Sequence, residues 1–243
     1  MSNAVSTGML PGISSKFITT MACDKIGRLW VGTEDDGVWV VDESDPNQKP
    51  KQFTTKDGLG DNNAYAIACD RLGRIGVGHL NHGVSVYNGQ AWRNYGVVEG
   101  PLGERIFVMT ASPIDGDVWI GTSYGLSRYS LTNHVWKYYT KANGLPSDQI
   151  QALAFDNTGT LYVGTQCEGL AIASRQDGYR QWKVVRAPEE FGGGVPVPLT
   201  GYGKGLPANL INCLLVSSNG TVWVGTTTGV AWSRDRPGSS TKI

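Results

Sequence analysis

Charge is scarce in this chain. Asp, Glu, Lys and Arg make up 17% of the 243 residues, below the usual quarter, and the two signs balance at 21 each. With no net field to draw them in, nucleic acid and anionic membranes are not expected partners. Long apolar runs are missing too: none approaches about eighteen residues, so no membrane-spanning helix is predicted. Met1 to Thr7 has neither a basic start nor an apolar run. No secretory signal is therefore expected there, and Ser2-Asn3-Ala4 has the composition of a cloning remnant. Four cysteines are too sparse for a disulfide scaffold. A single domain of this size buries roughly 70–75% of its unfolded surface without staples, so free thiols are expected. No nucleophile elbow, phosphate-cradling glycine loop or zinc-protease helix occurs.

Glycine and aromatic residues, by contrast, are plentiful: 33 Gly, eight Trp and ten Tyr. They are organised by a phrase that recurs five times. It reads Arg28-Leu-Trp-Val-Gly-Thr33, Arg74-Ile-Gly-Val-Gly-His79, Asp117-Val-Trp-Ile-Gly-Thr122, Thr160-Leu-Tyr-Val-Gly-Thr165 and Thr221-Val-Trp-Val-Gly-Thr226. The glycines Gly32, Gly78, Gly121, Gly164 and Gly225 are spaced by 46, 43, 43 and 61 residues. The long interval holds a Pro/Gly-rich stretch from about Ala187 to Tyr202, read either as a lid or partner-contacting arm or as a solvated loop.

Each copy divides into four strand-like pieces, a to d, punctuated by Gly, Asn and Asp. Strand a ends at Asp24, Asp70, Ser112, Asp156 or Ser217, and a tight glycine turn leads into strand b, the repeated phrase. Strand c follows a second glycine, and strand d carries aromatics such as Phe53, Trp92 and Trp136. A period in the low forties with four strands predicts an all-β fold: a β-propeller of five four-stranded blades, one domain over residues 1–243. The blades fall at approximately 8–57, 58–99, 100–143, 144–204 and 205–234. Residues 1–7 sit where the missing outer strand of the last blade would lie. The alternative is an incomplete arc of a larger or oligomeric propeller, with exposed edges and self-association. Trp30, Trp119, Tyr162 and Trp223 are expected in the core between blades, and Cys23 and Cys69 are expected to be buried.

The order Gly-Leu-Pro, strand, Asp-x-x-Gly-x-Leu-Trp-Val-Gly-Thr, Gly-Leu or Gly-Val, then Trp-x-x-Tyr-Thr resembles the two-component regulator propeller repeat. Residues 144–165 carry the fullest form of it. That family is found mainly in extracytoplasmic ligand-sensing parts of bacterial hybrid sensor kinases. The resemblance therefore implies a sensor module in a periplasmic or secreted setting, with a small polar ligand such as an oligosaccharide, or a partner protein's loop, as its target.

In such a blade the b-to-c and d-to-a connections share one face, and that face carries the residues that differ between copies. Candidate ligand contacts there are Asp36, Asn62, Asn63, His79, His82, Tyr124, Gln149, Glu168 and Asn209. Tyr124 would stack on a sugar face and the polar residues would bond hydroxyls. Blade two departs most, since Gly76 replaces the strand-b aromatic and His79 the threonine, with His82 nearby. The gap is read either as a pocket or as a hole filled by Tyr65 or another neighbour. Two histidines alone make a weak metal site even with Glu168, Asp35 or Asp36 added, so no metal, cofactor or catalytic residue is assigned. The acids Asp35, Asp36, Asp61, Glu104, Asp148 and Glu168 are candidates for glycoside hydrolysis. A metal-assisted lyase resembling the streptogramin-inactivating propellers is the enzymatic alternative.

Overall fold

The computed structural model describes residues 12–13, 17–42, 44, 49–188 and 205–233. Its strands form five antiparallel sheets, each built from consecutive strands in chain order. Blade one holds β1 (Ile18–Cys23), β2 (Leu29–Thr33), β3 (Val38–Val41) and β4 (Lys51–Phe53). Blade two holds β5 (Ala66–Cys69), β6 (Ile75–Gly78), β7 (Val84–Tyr87) and β8 (Trp92–Tyr95). Blade three holds β9 (Ile106–Ala111), β10 (Val118–Thr122), β11 (Gly125–Tyr129) and β12 (Trp136–Tyr139). Blade four holds β13 (Ile150–Phe155), β14 (Leu161–Thr165), β15 (Leu170–Ala173) and β16 (Lys183–Val185). Blade five has three described strands, β17 (Ile211–Val216), β18 (Val222–Thr226) and β19 (Val230–Ser233). Residues 1–7, expected to add its outer strand, and most of the 187–202 stretch lie outside the described residues.

The a-to-b turns owe their shape to a buried side chain at the end of the first strand. Asp24 Oδ1 accepts the amides of Ile26 and Arg28 at 3.1 and 2.9 Å, while Oδ2 accepts Arg28 Nε at 2.7 Å and the Trp30 indole at 2.9 Å. Burial alone would raise the pKa of this carboxyl; the bonds from Trp30 and Arg28 outweigh it and hold the group below its usual value. Asp70 repeats the arrangement with the amides of Leu72 and Arg74. In blade three Ser112 stands at that position, and the buried Trp119 indole nitrogen has no hydrogen-bond partner among the described residues.

Four apolar clusters fill the seams between consecutive blades. Trp30, Val38 and Val40 of blade one meet Leu59, Ile67 and Val77 of blade two. Ala68 and Val84 meet Met109 and Ile120; Trp119 and Leu126 meet Leu153 and Val163; Tyr162 and Ile172 meet Val222 and Val224. Among the described residues no such cluster joins blade five to blade one.

The seams work by close approach of strand a to the repeated glycine. A Cβ on Gly78 would lie 2.4 Å from Ile106 Cγ2, one on Gly121 2.6 Å from Ile150 Cγ2, and one on Gly164 2.6 Å from Ile211 Cγ2. Each isoleucine is fully buried on the glycine of the preceding blade. Any other residue there would hold the blades apart.

Two expectations need correction, and one is decided between its alternatives. Trp223 is 40% exposed, since among the described residues no apolar cluster covers that side of blade five. Cys23 is exposed and Cys69 half-buried, since both sit at the outer end of the strand where the turn begins. Of the two readings of the gap at Gly76, filling by a neighbour holds: Met109 fills it, with its Cε 2.8 Å from where a Cβ would stand. What remains is a cavity of about 40 Å³ between blades two and three, lined by Ala68, Gly76, Val86, Met109 and Trp136 among others. Tyr65 lies elsewhere, on the axial side.

Candidate functional site in the inner-strand bulge region

The b-to-c loops are closed by the threonine that ends the repeated phrase. Oγ1 of Thr33, Thr122, Thr165 and Thr226 donates to the carbonyl of Gly37, Gly125, Gly169 and Gly229 at 2.8 to 2.9 Å. The same oxygen accepts an amide from within the loop, for example that of Asp36 at 3.0 Å. These loops are stapled to the following blade: the amides of Gly37, Gly83 and Gly169 donate to the carbonyls of Asn62, Glu104 and Asn209. The b-to-c and d-to-a loops thus share one face, as the sequence implies.

His79 does something different from the threonine it replaces. Its ring is fully buried, with Nδ1 2.7 Å from the Asn63 carbonyl and Nε2 2.7 Å from the Ser85 hydroxyl, whose oxygen also accepts the Gly60 amide. Nδ1, facing a carbonyl, carries the ring proton. Burial pushes the His79 pKa below the ordinary histidine value, with the Asn63 carbonyl and the Asp61 charge pulling partly the other way. The unfolded chain therefore takes up this proton more readily than the folded one. Stability is complete above the unfolded histidine pKa of about 6.5 and falls as the pH drops below it, by at most about 1.4 kcal/mol per pH unit for one group. The carboxylates held low, Asp24, Asp61 and Asp115, lose their contribution only at more acid pH. Urea unfolding at pH 7.5 and 5.5 is expected to show a lower midpoint at the acid value, and His79→Gln is expected to flatten the difference. An unchanged midpoint in the parent would contradict this assignment.

Most of the other rim candidates are engaged within their own loops. Asn62 Oδ1 accepts the Thr55 amide at 2.9 Å and Asn209 Oδ1 the Ala187 amide at 2.7 Å; Asp148 does the same to Lys141 at 2.8 Å. All three occupy the fifth position of the Gly-Leu-x-x-x segment, where an acceptor locks the d-to-a turn. Asp36 accepts Gln52 Nε2 through both its carboxylate and its carbonyl, and Asn63 Nδ2 donates to the Glu34 carbonyl at 2.9 Å. His82 is exposed and pairs with Asp61 at 2.9 Å, and Glu168 pairs with Arg186 at 3.0 Å. Tyr124 is 66% exposed, and its ring packs against Gly103. Gln149 is exposed, its carbonyl accepting the Gln166 amide. Among the described residues no three His, Cys, Asp or Glu side chains group as a metal site.

A second cavity, larger than the one at Gly76, lies toward the axis and contains none of these nine residues. It measures about 470 Å³ and is lined by Ile18, Thr19, Thr20, Tyr65, Ala66, Ile67, Phe107, Val108 and Met109, from the inner strands of blades one to three. The inner strands carry a bulge at one place in four blades, between Ile18 and Thr20, Ile106 and Val108, Ile150 and Ala152, and Ile211 and Cys213. A bulge leaves one residue out of the ladder and re-aims its side chain. The residues so placed are Thr19, Phe107, Gln151 and Asn212, and Tyr65 follows Ala64 at the matching point of blade two. Tyr65, 40% exposed, meets Phe107 edge-on at 6.5 Å, while the Thr19 hydroxyl bonds the Ala64 carbonyl. The result is an open hollow with an aromatic wall and threonine hydroxyls beside it. One sequence signal points there: Ile-Thr-Thr, Ala-Tyr-Ala, Ile-Phe-Val, Ile-Gln-Ala and Ile-Asn-Cys vary most in chemistry at their middle position.

Comparison with known proteins places the architecture. A family profile described as the two component regulator propeller matches residues 12–35, 144–166 and 205–228. These are copies one, four and five; the two unmatched copies are those with Gly76 and His79, and with Ser112. Among solved structures, the chain is similar to the extracellular domain of a hybrid two component system from Bacteroides thetaiotaomicron, at 18% identity and a TM-score of 0.68. The match covers 90% of this chain and 27% of that one, so the chain spans about a quarter of that relative. It is also similar to PorZ, a surface component of the type-IX secretion system of Porphyromonas gingivalis (14% identity, TM-score 0.65, 94% and 34% covered). A third relative is virginiamycin B lyase from Staphylococcus aureus (10% identity, TM-score 0.64, 95% and 74% covered). No curated protein matches the chain. At these identities the likeness speaks for the fold alone, a β-propeller, in which three of the five repeats match the two component regulator propeller profile.

Proposed function

We propose that this chain is a non-catalytic sensing module that binds a small polar ligand with one flat apolar side, such as an oligosaccharide. The binding place is the axial hollow walled by Tyr65 and Phe107. The observation that carries the reading is the 470 Å³ hollow itself, where the exposed Tyr65 and the half-buried Phe107 stand beside Thr19 and Thr20 of the first inner strand. Aromatic rings supply rigid apolar area, and the neighbouring hydroxyls and backbone supply polar contacts. The module works outside the cytoplasm, periplasmic or secreted, in keeping with its likeness to the extracellular domain of a two component system. A lyase reading draws on the likeness to virginiamycin B lyase. It would rest chemistry on His79 and His82, but His79 has both ring nitrogens engaged inside the blade and His82 pairs with Asp61. Binding is the stronger reading.

An oligosaccharide panel followed by thermal unfolding tests it. A ligand at about a hundred times its dissociation constant adds roughly 2.7 kcal/mol, a rise of about 5–10 °C for a chain of this size. Tyr65→Ala is expected to weaken the hit about three- to tenfold, with the ligand recovered chemically unchanged. Loss of binding in Tyr124→Ala with Tyr65→Ala unaffected would move the site to the rim. Consumption of the ligand would replace the binding reading with an enzymatic one.

A further inference from the structure

Blade one and blade five present the two unmatched halves of a seam. In the filled seams the isoleucine that opens one inner strand rests on the strand-b glycine of the blade before it, as Ile106, Ile150 and Ile211 do. Ile18 holds the same register position, opposite Thr33, yet is 47% exposed. Gly225 is the corresponding glycine of blade five, and among the described residues a Cβ there would meet only Cys213 of its own blade. Beside it, Leu215 and Trp223 face one another across the strands at the positions of Ala22 and Trp30, and are 62% and 40% exposed. Met21, which matches the buried Leu153 and Met109 on the opposite face of a blade, is 64% exposed. The stapling bond is unmade as well: the Gly229 amide, equivalent to those of Gly37 and Gly169, has no acceptor among the described residues.

We propose that these two edges, complementary to each other, form a head-to-tail interface between copies of this chain, with Ile18 of one copy seated on Gly225 of the next. The occupant follows from continuity with the four existing seams. A face that ends in a glycine seat flanked by Leu215 and Trp223 fits an inner strand that opens with isoleucine, and blade one of a second copy presents that strand with its isoleucine unburied. Within one chain no described cluster brings blade one onto blade five, so each copy offers one donor edge and one acceptor edge. Such a heterologous contact grows into a ring or an open chain according to whether the rotation closes.

The test uses Ile18→Asp and Leu215→Asp, each at an exposed position, with circular dichroism and the thermal midpoint of dilute protein confirming the fold. Sedimentation velocity of the parent chain is expected to show mass rising with concentration. Either variant alone loses the association, its dissociation constant rising by about a hundredfold or more, because a carboxylate is carried into an apolar seam. A mixture of the two variants retains one intact pairing, blade five of Ile18→Asp with blade one of Leu215→Asp. It is expected to form a 1:1 dimer and nothing larger. A parent chain of constant monomer mass overturns the proposal, whether the edges then close on each other or are covered by another part of the chain. Association that survives either substitution, or a mixture that stays monomeric, overturns it equally.

Discussion

Replacing Trp30 with alanine is expected to lower the unfolding free energy by about 3–5 kcal/mol, whereas the same change at Trp223 costs about 1 kcal/mol or less in dilute protein. The two residues hold the same place in the repeat. Trp30 is buried in the first seam, stacked on Phe53 at 5.8 Å and tilted against Tyr87 at 5.9 Å, with its indole donating to Asp24 at 2.9 Å. Its removal opens a large cavity and takes a donor from a buried carboxylate. Trp223 has Trp232 beside it at 6.2 Å but no following blade over it among the described residues. For a chain of this size the Trp30 variant should melt about 6–20 °C lower. Phenylalanine separates the contributions: Trp30→Phe keeps the stack and loses the bond to Asp24, while Trp119→Phe gives up an indole nitrogen that has no hydrogen-bond partner among the described residues. Trp30→Phe should therefore be the more costly of those two. Equal losses at Trp30→Ala and Trp223→Ala would show that the fifth blade is covered as fully as the first.

The second large effect is expected at a position with no side chain. Gly164→Val should destabilise the chain by about 1–3 kcal/mol or more, because the new Cβ would lie 2.6 Å from Ile211 Cγ2, 2.9 Å from Ile211 Cβ and 3.1 Å from Ala152 Cβ. None of these atoms is the free end of a flexible side chain, so blades four and five would have to separate. Ile211→Ala alone should also be costly, since the side chain is fully buried. The double variant is the informative one. If the isoleucine seat is what the glycine serves, the two changes compensate, with a coupling of about 0.5–3 kcal/mol in urea unfolding. Strictly additive losses would show that Gly164 is required for another reason.

The repeat architecture could be read from the sequence because it rests on local signals. Trp-Val-Gly-Thr, its flanking glycines and the aspartates at the strand ends each act within a few residues, and Asp24 and Asp70 build the turns that such spacing suggests. The rim residues were harder to read. Asn62 and Asn209 occupy the expected loops, but their side chains are turned inward onto the amides of Thr55 and Ala187, and a loop position alone does not reveal that direction. The fate of His79 depended on Ser85 and Asn63, one from the next strand and one from the preceding loop. The hollow was least legible, since its lining comes from three blades and its aromatic wall from Phe107 at an inner-strand bulge and Tyr65 just before β5. Trp223 shows the same limit from the other side. Its local phrase, Val-Trp-Val-Gly-Thr, differs from the Val-Trp-Ile-Gly-Thr around Trp119 by one similar residue, and it is the covering blade that makes Trp119 core.

Every filled seam joins consecutive blades, and every sheet is assembled from consecutive strands. The loops that must be closed during folding are therefore short, and each further blade extends a surface already formed. Such a chain can acquire its structure progressively as it emerges from the ribosome, without waiting for its last residues. It can also gain or shed a terminal unit in evolution at the cost of a single seam.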